Sequence, residues 1–412
     1  MNDKDLYQQI LGIPKPWSVT DVGLKLDGGK IEVRVSAPSS ADMHCPVCQK
    51  VCPRHDKRER RWRHLDTCQY QTVLVAQVPR VKCDEHGIKQ IDVPWAEERS
   101  RFTALFEILV IDWLKEASVS AVARQLEIRW DAIDGIMQRA VARGLKRRDD
   151  TGLYPDLDVD ETAFRKRHDY VTVVSDPGTG AVIHLCDDRK KQSLKDFYSS
   201  LSEEQRIGIR TISMDMWPAF ISATLEGLPG ADSKICFDRF HVAQHLGKAV
   251  DKVRRDEHKK LKAENNAVLT GTKHDWLRAE QNVPKKRLGA FRKLCNSTLK
   301  TARAWAWKEA AAYLWQYRSR TWAIKAWNRW YSGAIRSRLE PVKKAARMIK
   351  KHLWGIVNAI VTGTTNAGAE SINSRIKMVK VGSRGFRNKN RFKAAIYFHL
   401  GDLDLYPETA TE

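Results

Sequence analysis

Apolar and polar residues alternate with a period of two in Ile31–Ala37 (IEVRVSA) and again in Gln71–Val78 (QTVLVAQV), which predicts short β-strands facing a small core. Polar turns and a cysteine cluster separate them. The β-rich reading runs from about residue 26 to 93, within a first domain taken as 1–95. The period then changes. RFTALFEILVIDWLKEA, from Arg101, carries apolar residues at helical spacing. Ser118–Leu126 and a stretch from Arg129 through Ile136 to Arg143 read as two further amphipathic helices meeting at a tight turn. Small Ala121 and Ala123, with apolar Val122, Leu126, Ile128 and Ile133, fit a helix-turn-helix, where close crossing demands small residues. A plain three-helix bundle has the same periodicity. If the domain, 96–150, is a helix-turn-helix, the recognition helix starts near Arg129, and Arg129, Trp130 and Arg139 are its candidate DNA contacts.

After the linker GLKRRDDTGLYPD the pattern reads strand (LDVDETAF), strand (YVTVVSD), turn, strand (AVIHLCD), helix (SLKDFYSSLS), strand (IRTISMD), helix (WPAFISATLEGL) and strand (SKICFD). Three successive strands followed by alternation of helix and strand predict an α/β sheet with a hairpin-built edge, over 151–241. From 242 to 362 every stretch has helical period, which predicts an all-helical insertion. Trp305, Trp307, Trp315, Trp322, Trp327 and Trp330 recur there at near-helical spacing. Such tryptophans are mostly core, although one or two could stack on an unpaired base. The last segment, 363–412, starts as a loop at Gly363 and becomes helix through Lys380.

Charge narrows the functional classes. The 412 residues include 72 lysines and arginines against 50 aspartates and glutamates, a formal charge of +22. A polyanionic partner is the first expectation, and motifs must decide between that and a merely solvated basic surface. RHDKRERRWR, Arg54–Arg63, is in the same position: a phosphate contact or a solvated loop. No uninterrupted apolar stretch approaches the roughly 18 residues needed to span a bilayer, and the start of the chain has no apolar leader core. A cytoplasmic protein with no membrane partner is expected.

Five of the eight cysteines crowd between positions 45 and 83. Cys45-Pro-Val-Cys48 and Cys83-Asp-Glu-His86 form two pairs of equal spacing, 34 residues apart, which suits one tetrahedral structural zinc. Cys52, His55, His64 and Cys68 lie near enough to compete as ligands.

Charged residues inside predicted strands are costly unless paired or holding a cation. Asp158 and Asp160 share one face of the first strand, and spacing alone does not choose between them. Asp215 ends the fourth strand.

Four motifs in order carry a resemblance: Asp160-Glu-Thr-Ala-Phe-Arg-Lys166; Ser213-Met-Asp215-Met-Trp-Pro218; Phe237-Asp238-Arg-Phe-His241-Val242; and Thr365-Asn-Ala-Gly-Ala-Glu370-Ser-Ile-Asn373-Ser-Arg375-Ile-Lys377, followed by Arg384-Gly-Phe-Arg-Asn388. Together they resemble insertion-sequence transposases of the ISL-three type over nearly the whole chain. The resemblance implies a DDE transposase with an RNase H-like catalytic core. Asp160, Asp215 and Glu370 would be its metal ligands and Asp158 a bystander. It implies two magnesium or manganese ions, double-stranded DNA ends and target DNA as partners, and a dimer or larger assembly on DNA in a bacterial cell, on the nucleoid. Phosphodiester chemistry needs an activated nucleophile and a stabilised pentavalent phosphate, both of which two metals held by carboxylates provide. Asn373, Arg375 and Lys377 are candidate phosphate contacts. Asp238 and His241 either support the metal ligands or form a helix cap with a structural histidine. The fold class expected is therefore multidomain: a small zinc-binding β-rich module, an α-helical helix-turn-helix domain, and an α/β RNase H-like core interrupted by an all-helical insertion. Rival readings are an RNase H-like nuclease without strand transfer and a catalytically silent DNA-binding regulator.

Overall fold

A computed structural model of the chain describes residues 2–38, 42–149, 151–165, 169–188 and 190–408. Lys166 of the first motif lies outside the described residues. The chain forms two compact units. One holds residues 1–148, 381–385 and 397–412, the other 149–380 and 386–396.

The first unit opens with α1 (Asp3–Ile10) and a five-stranded sheet of β1 (Ser18–Lys25), β2 (Lys30–Ser36), β3 (Arg54–Arg63), β4 (Gln71–Cys83) and β5 (Gly87–Gln90). The order is β1-β2-β4-β3, with β5 also on β4. The two alternating runs are β2 and β4, paired in parallel from Lys30 opposite Gln71. The basic run Arg54–Arg63 is not a loop but strand β3, antiparallel to β4, and most of it is exposed. Its exposed side is held by charge pairs such as Arg80–Asp56, and Trp62 is its buried anchor. Trp62 and Trp17 both meet Trp95 edge to face, with ring centroids 5.5 and 4.9 Å apart.

Three helices follow: α2 (Ala104–Glu116), α3 (Val119–Gln125) and α4 (Trp130–Arg147). Thr103 and Ser118 cap the first two by accepting the amides of Phe106 and Ala121, each worth about 1 kcal/mol. Glu127 turns the chain between α3 and α4 at a φ of 54°. Glu107 of α2, fully buried, accepts from Ser100 and pairs with Arg139 and Arg143 of α4. A charge so placed tolerates no loss of partner, so this network fixes how α2 and α4 cross.

The end of the chain, from residue 397 on, belongs to the first unit and packs on α4. A Cβ on Gly144 would stand 2.6 Å from Leu403 Cβ, Arg147 pairs with Asp404 at 2.9 Å, and Arg148 donates to the Gly401 carbonyl at 2.8 Å. Leu405 is buried in the same place. The acidic tail thus matches the basic end of α4.

The second unit is built on the strands β6 (Asp156–Arg165), β7 (Asp169–Asp176), β8 (Ala181–Cys186), β9 (Thr211–Met214) and β10 (Ile235–Phe237). Their order is β10-β9-β6-β7-β8. β6, β7 and β8 form an antiparallel meander, whereas β9 and β10 join parallel to β6 and to each other. Between them run α5 (Lys191–Ser200), α6 (Glu203–Gly208), α7 (Pro218–Gly227) and α8 (Ala231–Lys234). The sequence pattern missed only the two short helices in this stretch.

The expected helical segment is α9 (Arg239–Ala263), α10 (Lys273–Leu277), α11 (Lys285–Cys295), α12 (Lys300–Tyr313), α13 (Arg320–Ile335), α14 (Glu340–Lys351) and α15 (Leu353–Thr362). It does not stand apart as a separate domain. One apolar core runs from Val159 and Met214 of the sheet through Phe237 to Trp276, Trp305 and Trp327. A Cβ on Gly355 of α15 would meet the Phe237 ring at 2.5 Å, so the glycine lets the helix lie directly on β10. Last come α16 (Ala367–Gly382) and α17 (Lys389–Leu400).

Candidate active site and metal centre

Parallel pairing of β6 with β9 sets Asp158 beside Ser213 and Val159 beside Met214. Asp160 and Asp215 hold the next positions on the two neighbouring chains. Alternation puts Asp158, Asp160, Ser213 and Asp215 on one face of the sheet. Each outer carboxylate accepts the amide of the residue after it: Asp160 from Glu161 at 2.7 Å, Asp215 from Met216 at 2.6 Å.

α16 lies across this face. Ser213 Oγ donates to Asn366 Oδ1 at 3.1 Å, and Asn373 Nδ2 donates to Asp160 Oδ2 at 2.8 Å. Between them, a Cβ on Gly368 would come within 2.6 Å of Asp158 Oδ2. Glu370 stands four residues after Asn366 and three before Asn373, so it shares their side of the helix. Its side chain is exposed. Arg375 of the same helix donates to the Gly180 carbonyl of the β7–β8 turn at 3.4 Å, while Lys377 is exposed.

Asp238 caps α9 by accepting the His241 amide at 3.3 Å, as the helix-cap reading expects. The same turn presents the His241 ring to the site, with Nδ1 3.7 Å from Asp215 Oδ1. The cap is thus present, and it leaves the His241 ring beside Asp215.

The site gathers negative charge in a strongly basic chain. Burial pushes the Asp158 carboxyl up to about 7, opposed by the Ala369 amide and reinforced by Asp160, Asp238 and Asp176. Burial also raises Asp160; the Glu161 amide and His241 oppose this, and Asp215 adds to it. Asp160, Asp215 and Glu370 are not drawn together as ligands of one ion: among the described residues the group gathered in that way is the cysteine and histidine cluster.

The second cluster is Cys45, Cys48, Cys83 and His86, whose ligand atoms all lie within 4.8 Å of one another. Cys48 and Cys83 Sγ are 3.7 Å apart, Cys83 Sγ and His86 Nδ1 3.6 Å, and Cys45 Sγ and His86 Nδ1 3.9 Å. Tetrahedral zinc with Zn–S bonds near 2.3 Å requires edges of about 3.8 Å, so the donor set fits. Of the competing ligands only Cys52 stays beside the cluster, hydrogen-bonded to the Cys83 thiolate. His64 is buried against Thr103 Oγ1 at 2.8 Å, Cys52 points to the Lys50 carbonyl, and His55 and Cys68 are exposed.

Of the candidate recognition residues, Arg129 caps α4, is exposed and sits 3.2 Å from Asp131. Trp130 opens the helix, also exposed. Arg139 is different: its guanidinium is committed to buried Glu107, a partner that helical spacing did not reveal.

The chain thus holds a four-ligand cluster suited to zinc, a three-helix element and a sheet with aspartates on one face, and comparison with known proteins gives its class, the DNA transposases, and its family. Residues 157–396 match the DDE family described as transposase, of the ISL3 group. Residues 91–141 match the helix-turn-helix domain of transposase family ISL3, and residues 41–86 the zinc-finger of transposases IS204/IS1001/IS1096/IS1165. The chain belongs to the ISL3 family of transposases. It is 26% identical over 397 residues to the transposase for insertion sequence element IS1001 of Bordetella parapertussis, covering 95% of this chain and 97% of that one. It is 25% identical over 418 residues to the transposase for IS1557 of Mycobacterium tuberculosis, covering 94% and 93%. No helix among the described residues is long and apolar enough to cross a membrane.

Proposed function

We propose that the chain is a DDE transposase that binds the inverted-repeat ends of its own insertion sequence, cleaves them, and joins the freed 3′-hydroxyls to target DNA. The observation that carries this reading is the docking of α16: Asn366 on Ser213 and Asn373 on Asp160 bring the Glu370 side of the helix to the face bearing Asp160 and Asp215. The sheet order, a three-stranded meander with two parallel strands added beside its first strand, supports an RNase H-like core.

Asp160, Asp215 and Glu370 would hold two magnesium or manganese ions, whose chemistry is activation of the attacking oxygen and neutralisation of charge on phosphate. Hard oxygen donors suit them. The protein's own groups do the rest. Asn373 holds one oxygen of Asp160 in a set direction, and His241 bears on Asp215 from α9. Water attacks phosphorus at the element's end as the P–O3′ bond breaks, freeing a 3′-hydroxyl. That hydroxyl attacks a target phosphodiester and releases the target's own 3′-oxygen.

The module of Cys45, Cys48, Cys83 and His86 would take one structural zinc, and residues of about 40 to 145 would read the end, with Arg129 and Trp130 at the start of α4. Processing of two ends in concert implies a dimer or larger assembly on DNA. The working place is the bacterial nucleoid.

The test supplies purified protein with an uncut end duplex and, separately, a pre-cleaved one, together with supercoiled target and magnesium. Joined product is expected. Cutting without joining would move the reading to a nuclease, and end binding without either, under magnesium and manganese alike, to a regulator.

A further inference from the structure

The tryptophan-rich helices are mostly core, as their spacing predicts: Trp305, Trp327 and Trp330 are buried, and Trp327 and Trp330 meet edge to face at 5.5 Å. Trp322 breaks the rule. It is 62% exposed on α13, one of the largest apolar groups left in the open, with Lys325 Nζ 5.1 Å from its ring centroid.

Trp322 lines an open groove of about 690 Å³ with Trp307, Tyr317, Lys325, Arg329 and Arg336. At Trp307, Gly333 and Arg336 the groove continues into a second hollow of about 640 Å³, where Arg303 and Arg338 take over the wall. No acidic residue lines either part. Arg303 is engaged with the Ser337 carbonyl. By contrast, the side chains of Arg329, Arg336 and Arg338 make no hydrogen bond or ion pair among the described residues. Gly333 makes the room: a Cβ there would stand 2.3 Å from Trp307 Cη2, so the glycine admits the edge of the indole against α13.

We propose that this groove between α12 and α13 binds unpaired DNA, with bases stacked on Trp322 and the neighbouring rings and the phosphates followed by Arg329, Arg336 and Arg338. Aromatic faces beside unpaired guanidinium groups form a platform for a single strand. A duplex hides its base faces and gives Trp322 nothing to stack on. Charge alone would admit an acidic peptide; an exposed indole alternating with cations along a continuous trough favours a nucleotide chain. The proposal rests on the transposase reading for the source of the strand, the unpaired DNA at a processed end.

The test measures binding of a labelled single-stranded oligonucleotide, and of the duplex carrying the element's end, by fluorescence anisotropy over a salt series with the full chain and no divalent metal. Trp322→Ala, on an exposed position, and the double variant Arg329→Gln, Arg336→Gln are compared with the parent, with melting curves to verify the fold. Trp322→Ala is expected to weaken single-strand binding about tenfold. The arginine variant is expected to lower the salt slope by about 1.4 for two phosphates. Duplex binding stays the same in both. Single-strand affinity unchanged in both variants, or an equal loss on duplex, would overturn the proposal. Failure of strand joining by the parent, with Trp322-dependent single-strand binding intact, would sink the transposase reading and leave the groove standing.

Discussion

Asn373 donates its side-chain amide to Asp160 Oδ2 at 2.8 Å, a contact spanning 213 positions of sequence. It hooks α16 to β6, and the helix it hooks carries Glu370. Loss of this contact leaves Asp160 free to turn and α16 free to drift. We expect Asn373→Ala to lower strand joining about 10- to 100-fold, the usual cost of removing a partner behind a metal ligand. End binding in a gel shift should be unchanged. Parent-level joining by Asn373→Ala would show that the contact orients nothing.

Gly368 packs on Asp158 with no room for a side chain. An added Cβ would stand 2.6 Å from Asp158 Oδ2 and 3.3 Å from Pro177 Cβ. Gly368→Ala is expected to cost about 1–3 kcal/mol of stability and to reduce joining through displacement of α16. Adding Asp158→Ala should return part of that stability, because the nearer of the two contacts is then gone and only that with Pro177 remains. Melting curves of the two single variants and the double variant provide the check; strict additivity would contradict the account.

Removal of zinc should act on the first unit. Metal analysis of purified protein is expected to find one zinc per chain, and Cys83→Ser to lower it to background. The same substitution, or a strong chelator, should lower the melting temperature and abolish end binding, because a structural site contributes folding energy directly. Full end binding by zinc-free protein would remove the metal from the account.

The buried ring of His64 sets a pH dependence. Burial lowers its pKa from the ordinary 6.5 to about 4. Above 6.5 the ring is neutral both folded and unfolded and costs nothing. As pH falls below 6.5 the unfolded chain takes the proton first, so stability drains away until the folded ring protonates near 4. The loss amounts to about 3 kcal/mol. His64→Asn should flatten the fall in melting temperature between pH 6.5 and 4. Parallel curves for parent and variant would refute the assignment.

Much of this was legible from local pattern. Alternation located β2 and β4, equal spacing of two ligand pairs located the zinc cluster, and the order of strands and helices from Leu157 anticipated the second sheet. What escaped depends on partners far apart in the chain. β3 has no apolar alternation and is a strand because β4 and Trp62 make it one. Arg139 looks like a free basic residue until Glu107, 32 positions earlier, is seen beneath it. The packing of Leu403 and Leu405 on α4 is equally invisible to any window of sequence. Asp158 and Asp160 differ only in which part of α16 lies over them: Gly368 packs on the first, and the Asn373 amide meets the second.

The most direct measurement compares strand joining by the parent with Asp160→Asn, Asp215→Asn and Glu370→Gln on the same ends, beside a gel shift for end binding. The account predicts that all three variants bind ends as the parent does and that joining falls at least about a thousandfold in each, since each removes a charged ligand from a two-metal site. Joining within about tenfold of the parent by any one of them would contradict the assignment of that carboxylate, and retention by all three would place the chemistry elsewhere in the chain.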